Sequence, residues 1–141
     1  MNGKQVARAW ALIVVVAAAA VAYGCASSAA KLTELQRVKS GMLEVVLLSP
    51  RDALRHGKDT FTMEFRSASD GTLIDVGNVR GSATMPMAGM PMMGTMDVAR
   101  TDVAGRYAAN CELGMAGTWR MTMQWDGPAG QGSVAFPGTV Q

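Results

Sequence analysis

The sequence predicts an all-β sandwich that follows an exported N-terminal segment. Apolar residues alternate with polar ones in several short stretches after residue 41, and turn signals such as Asp-Gly, Gly-Asn and Ser-Pro separate these stretches. No convincing amphipathic helix follows the first 41 residues. About seven short strands at this spacing favour a sandwich over a helical or α/β fold.

The first 24 residues have the outline of a secretory signal peptide. Lys4 and Arg8 are the only charges in the first eight residues, and residues 9–22 form an apolar run of 14. A run of this length is shorter than the roughly 20 residues that span a bilayer, although an uncleaved membrane helix remains the alternative.

Cys25 is a candidate lipidation site. The stretch Ala22-Tyr23-Gly24-Cys25 resembles a bacterial lipobox, with a small residue directly before the cysteine. We therefore expect residues 1–24 to be a lipoprotein signal peptide, 25–41 the lipidated cysteine with a tether and spacer, and 42–141 the sandwich domain. By resemblance to proteobacterial lipoproteins, Ala26 favours the outer membrane over the inner membrane, with the domain facing the periplasm.

Composition narrows the function classes. The chain has 13 basic and 11 acidic side chains, and the balance is 11 to 11 without Lys4 and Arg8, so bulk charge gives no attraction to nucleic acid. A single histidine cannot form a multi-histidine metal site within one chain. With Cys25 acylated, Cys111 has no partner for a disulfide.

The alternation defines the strands. Residues 42–48 form a mostly apolar strand ended by Ser49-Pro50, residues 51–58 form a polar turn with His56, and 72–76 form a short strand between two turns. Three further strands each place their large apolar residues on one face: Phe61, Met63 and Phe65; Tyr107, Ala109, Cys111 and Leu113; Trp119, Met121, Met123 and Trp125. Residues 133–136 supply a last strand.

Residues 85–96, the methionine segment, contain the pentapeptide Met-Pro-Met-x-Gly twice. Half of these twelve residues are methionine, and no charge occurs between Ser82 and Met96. Two prolines and two glycines disfavour a regular central strand, so we expect a loop or an irregular edge segment.

The methionine segment has three interpretations. Thioether sulfur is a soft, neutral ligand that prefers monovalent copper or silver to zinc, calcium or magnesium. Methionine is also the adaptable filler of irregular cores, and an exposed apolar loop can serve as a surface for a partner. The candidate ligands are first Met87, Met90 and Met92, and then Met85, Met93 and Met96; His56 or Cys111 would add a stronger ligand only if the fold brings it near.

The sequence resembles the YtkA-like family, which is related to FixH-type exported proteins. The resemblance spans residues 42–137 and is carried by Met85-Pro86-Met87, Met90-Pro91-Met92, Gly105-Arg106-Tyr107 and the run from Met115 to Arg120. It implies an immunoglobulin-like sandwich linked with copper handling, heavy-metal efflux or cytochrome oxidase assembly. It also implies a structural motif in which Met115, Gly117 and Trp119 form a hairpin; Tyr107 is a candidate corner tyrosine.

We therefore expect a membrane-anchored periplasmic protein that binds Cu(I) or Ag(I) through the methionine segment, or assists in handling these metals. The alternative is a metal-free interaction module that docks on an efflux or oxidase assembly complex. An enzyme is not expected, because no arrangement of nucleophile, base and acid and no phosphate-binding loop is visible in the sequence.

Overall fold

The computed structural model describes residues 31–141, so the predicted signal peptide and Cys25 lie outside the described residues. The described chain forms eight antiparallel strands. They are β1 (Thr33–Ser40), β2 (Leu43–Ser49), β3 (Gly57–Ser67), β4 (Asn78–Met85), β5 (Met92–Arg100), β6 (Arg106–Leu113), β7 (Gly117–Gly127) and β8 (Gly130–Val140). The predicted all-β class is confirmed.

The strands lie in the order β1-β2-β3-β6-β5-β4-β7-β8 and make two facing sheets joined by β5. The first part of β5, Met92–Gly94, pairs with β4 in one sheet. The second part, Thr95–Arg100, pairs with β6 in the other. Since β1 also contacts β8, the two sheets nearly close into a barrel around a single core.

The predicted alternation is confirmed in β3, β6 and β7, whose inward residues are all buried. Trp119, Met121 and Met123 have no exposed surface, and Phe65 packs edge-on against both Tyr107 and Trp125, with ring centroids 5.4 Å and 5.3 Å apart. The core thus rests on aromatic and methionine side chains, as expected for a sandwich without a disulfide between its sheets.

Two predicted segments differ in the structure. Residues 33–40, assigned to the spacer, form β1, which pairs with β2 along its length, so the sandwich begins at Thr33 rather than at residue 42. Residues 72–76 do not form a strand, because only Leu73 makes an isolated bridge, with Arg66.

The methionine segment is less irregular than predicted. Only residues 86–91 form a loop, whereas Met85 ends β4 and Met92–Met96 begin β5. The prolines explain this division, since Pro86 and Pro91 both fall just outside the ladder, where no backbone donor is required. A regular β5 therefore runs through the second half of the segment.

Several chain segments meet at one end of the sandwich, which we call the methionine end. It contains the β4–β5 loop (86–91), the β6–β7 turn (114–116), the β2–β3 connection (50–56), the start of β1 and the C-terminus. Met42, in the β1–β2 turn, lies at the opposite end. Within residues 31–141 no helix is long and apolar enough to cross a membrane.

Candidate functional site

The β4–β5 loop presents two methionines to solvent. Met87 is 47% exposed and Met90 is 79% exposed. Gly89 lies between them with a φ of +90°, a conformation that favours glycine and turns the loop back toward β5. The loop therefore displays two neutral sulfur donors, both of which were first-choice candidate ligands.

Met85 and Met92 form the base of this loop. They are directly paired across the β4–β5 ladder, so their side chains lie on the same face of the sheet. Met85 is buried in the core, and Met92 is half-buried against it. Met85 thus fits the interpretation of methionine as core filler, whereas Met92 lies between core and surface.

Met93 and Met96 point in opposite directions from β5. Met93 is 67% exposed on the outer face, next to Thr84. Met96 is partly buried on the inner face, paired with Cys111, and its sulfur shares the space over Gly81 with the sulfur of Met123. Met93 is therefore available to a ligand, and Met96 is part of the core packing.

The β6–β7 turn adds a methionine that the sequence assigned only to a structural motif. Met115 is 39% exposed at the methionine end. The backbone carbonyl of Met115 accepts a hydrogen bond of 2.9 Å from Nε1 of the buried Trp119. Gly117 has a φ of +139°, and the methyl group of Met85 lies 2.6 Å from the point where a Cβ on Gly117 would stand. This turn is thus fixed beside the methionine segment.

Tyr107 occupies a corner between β6 and the start of β4. Its hydroxyl donates a hydrogen bond of 2.8 Å to the carbonyl of Gly77 and lies 3.3 Å from a carboxylate oxygen of Asp75. Burial and the negative charge of Asp75 raise the pKa of Tyr107. The geometry is that of a residue that ties two strands together, far from the methionine end.

Cys111 and His56, the two candidate ligands that would be stronger than a thioether, lie in different environments. Cys111 is buried, and its thiol donates to the carbonyl oxygen of Asp59 at 3.4 Å. Burial and the negative charge of Asp59 raise the pKa of the Cys111 thiol to about 11. His56 is exposed at the methionine end, where its Nδ1 lies 3.1 Å from the carbonyl oxygen of Gln141. Only His56 is at a surface that a metal ion reaches.

In the part of the chain that the structure describes, no three His, Cys, Asp or Glu residues form a group that could hold a metal ion. The donors at the methionine end are mainly thioethers, which suit a monovalent soft ion.

The sequence did not reveal a cluster of charges on the outer face of β3 and β6. Glu64 is 1% exposed and accepts hydrogen bonds from Arg106 Nε at 2.9 Å and from Arg66 Nε at 2.8 Å. Burial alone raises the pKa of Glu64, but the two guanidinium groups outweigh it and lower the pKa below its usual value. Each negative oxygen has a positive partner, so this cluster stabilises the sheet.

Fold and core together define a small immunoglobulin-like β-sandwich domain. The chain belongs to the YtkA-like family, whose family model matches residues 37–124. The match includes the whole methionine segment and the β6–β7 turn. No curated protein matches the sequence significantly.

Solved structures with a similar fold are distant in sequence. A copper-bound variant of FetP from uropathogenic Escherichia coli has a TM-score of 0.50 at 12% identity, with 77% of this chain and 97% of that chain covered. The filamin domain of Lin-41 has a TM-score of 0.45 at 14% identity, with 63% of this chain and 81% of that chain covered. At such identities the FetP likeness concerns the fold alone.

Proposed function

We propose that this protein binds monovalent copper or silver at its methionine end and assists in handling these metals in the periplasm. The observation that carries the proposal is the exposure of Met87 and Met90, two uncharged thioethers in the β4–β5 loop, with Met93 exposed nearby on the outer face of β5. Side chains exposed at a loop tip contribute nothing to the core, so core packing does not explain Met87 and Met90. Coordination of a soft monovalent ion explains their exposure.

The proposed site centres on Met87 and Met90 and uses Met92 as a nearby third donor. Thioethers carry no charge and do not form disulfides, so they keep their ligand character in an oxidising compartment. Membership of the YtkA-like family, whose members are exported, agrees with a periplasmic location. The copper-bound FetP variant has a similar fold, but the donors proposed here are this chain's own methionines.

The anchor is part of the same proposal. Acylation of Cys25 would hold the domain at a membrane, with the outer membrane favoured by Ala26, next to a heavy-metal efflux or oxidase assembly complex. The protein then acts without catalysing a reaction, by receiving the ion and passing it on. Mass spectrometry of the protein purified from membranes tests the anchor, because lipidation adds lipid mass at Cys25 and cleavage before Cys25 by a signal peptidase removes residues 1–24.

Metal binding is tested by titrating the full chain with Cu(I) under reducing conditions and measuring X-ray absorption at the copper edge. We expect sulfur neighbours at about 2.3 Å, and a loss of affinity in the Met87→Leu/Met90→Leu double variant. Met42→Leu is the matched control, because Met42 is 84% exposed but lies at the opposite end. Coordination by oxygen alone, or equal affinity of the double variant, rejects the proposal.

A second candidate function is a metal-free interaction module. It is favoured by the absence of charge from Ser82 to Met96, which gives the loop the character of a docking surface for a membrane protein complex. Association with such a complex that is strong in the presence of a chelator and unaffected by copper would favour this candidate. Association that requires copper would favour the metal-binding function.

A further inference from the structure

The β6–β7 turn lies directly against the methionines at the base of the β4–β5 loop. The sulfur of Met92 lies 3.3 Å from the point where a Cβ on Gly114 would stand. The methyl group of Met85 makes the corresponding contact at Gly117. Both ends of the turn are thus held against the residues from which the loop leaves β4 and enters β5.

Met115 is the central residue of this turn and its only large side chain, between Gly114 and Ala116. The hydrogen bond from Trp119 Nε1 fixes its backbone carbonyl, while its side chain remains 39% exposed. A turn at a protein surface favours polar residues, and a partly exposed methionine adds little to the core. The backbone carbonyl of Met115 is therefore held in place, while the residue stays accessible at the surface.

We propose that Met115 is a further ligand of the soft metal ion, so that the site is built from two hairpins. This inference rests on the proposed function. One group of donors comes from the β4–β5 loop, namely Met87 and Met90 with Met92 at its base, and Met115 comes from the facing β6–β7 turn. The step is simple association: a Cu(I) or Ag(I) ion gains a neutral sulfur donor, and no electron or proton is transferred.

A donor on the facing turn improves the site for a physical reason. The β4–β5 loop alone must lose conformational freedom to bring its sulfurs onto one ion. A ligand on a turn already fixed by Trp119 reduces that entropic cost, and the long, flexible methionine side chain adjusts to the remaining distance. Cys111, although close in sequence, points into the core and bonds to the Asp59 carbonyl, so it does not compete for this role.

Silver(I) is the probe for the test, because it is soft, monovalent and stable in air. The full chain, Met115→Leu and Met42→Leu are titrated by competition with a soluble thioether chelator. We expect about tenfold weaker binding in Met115→Leu and wild-type binding in Met42→Leu. In the copper-loaded proteins, X-ray absorption should count one sulfur neighbour fewer in Met115→Leu than in the wild type.

The outcomes separate this inference from the proposed function. Wild-type affinity and sulfur count in Met115→Leu overturn the role of Met115 but leave the loop site intact, whereas a wild-type protein that binds no silver overturns both. If Met115→Leu binds silver more weakly but also melts at a lower temperature, the Met115→Cys variant distinguishes loss of a ligand from loss of stability, because it keeps a sulfur donor at this position. Silver affinity restored by Met115→Cys supports the ligand role of Met115, and affinity that stays low overturns it.

Discussion

Met85 and Met92 oppose each other in the β4–β5 ladder, and both side chains lie against the β6–β7 turn. Met85 is buried and Met92 half-buried, whereas Met87 and Met90, in the loop between them, are exposed. The repeated Met-Pro-Met motif therefore contains methionines with two different roles. Some close the end of the core, and the others face solvent.

This division predicts the order in which the methionines oxidise. Under mild hydrogen peroxide, Met87, Met90 and Met93 should form sulfoxides at least about tenfold faster than the fully buried Met121 and Met123. Peptide mapping by mass spectrometry measures the rate at each position. Uniform rates across the chain would contradict the described burial.

The same assay in the presence of silver(I) tests the proposed site. A bound ion occupies the sulfur lone pair that peroxide attacks, so Met87 and Met90 should be protected. Met42 is more exposed than either of them but lies at the opposite end, and its oxidation should continue unchanged. Protection of Met42 to the same extent would indicate unspecific binding of silver.

The buried carboxylate of Glu64 makes a third prediction, which concerns stability. Glu64→Gln keeps the size of the side chain but removes the charge that pairs with Arg66 and Arg106, so we expect a loss of about 2 kcal/mol in the free energy of unfolding at pH 7. Urea denaturation measures it. Glu34→Gln is the control, because the pair of Glu34 with Arg37 is exposed and screened by solvent and should contribute much less to stability.

The pH dependence of this difference follows from the lowered pKa of Glu64. A carboxyl group whose pKa is lower in the folded state stabilises the fold above its unfolded pKa, near 4.5, and loses that contribution as the pH falls through the folded pKa. Wild type and Glu64→Gln should therefore converge in stability in acid. A difference that stays constant from pH 7 down to strong acid would refute the ion-pair explanation.

Gly94 is the residue at which β5 passes from one sheet to the other. A Cβ there would lie 2.9 Å from the Leu113 side chain and 3.1 Å from the Trp119 ring. Both neighbours are fully buried, so Gly94→Ala should lower the free energy of unfolding by about 1–3 kcal/mol. Gly114→Ala is a matched control, since its Cβ would meet only the flexible end of Met92. Equal melting temperatures for the two variants would argue against this packing.

Cys111 should resist alkylation in the folded protein. Its thiol is buried, and a pKa raised to about 11 leaves very little of the reactive thiolate at pH 8. Iodoacetamide should modify Cys111 only after denaturation, as measured on the peptide that contains it. Rapid modification of the native protein would mean that the end of β6 opens readily.

The sequence could predict most of the sandwich because alternation directly reports which face of a strand is buried. It predicted the inner faces of β3, β6 and β7, including Trp119 and Phe65. It missed β1, whose mostly polar residues are held by pairing with β2 and by the ion pairs of Arg37 with Glu34 and Glu44. β1 and β2 form a tight hairpin, but the register shifts between Glu34 and Gln36, so β1 has no clear alternation of apolar and polar residues. It also named no strand over residues 78–84, which pair with β7 as part of β4.

The candidate site was predictable in composition but not in geometry. The repeated methionines identified the segment. Because the two Met-Pro-Met motifs look alike in sequence, however, they did not distinguish the buried Met85 from the exposed Met90. The proximity of Met115 to the methionine segment could not be predicted either, because it depends on the β6–β7 turn lying against Met92. Likewise, Arg106 reaches Glu64 across 42 positions of sequence, which no local motif records.

The polypeptide enters β1 at Thr33, beside Ser49 and thus at the methionine end. Only seven residues separate Thr33 from Cys25, a reach of roughly 25 Å at full extension. Attachment at Cys25 would therefore keep the methionine end within that reach of the bilayer surface, whereas Met42 lies at the far end of the sandwich. A membrane-embedded donor or acceptor of the ion would then have the proposed ligands close at hand.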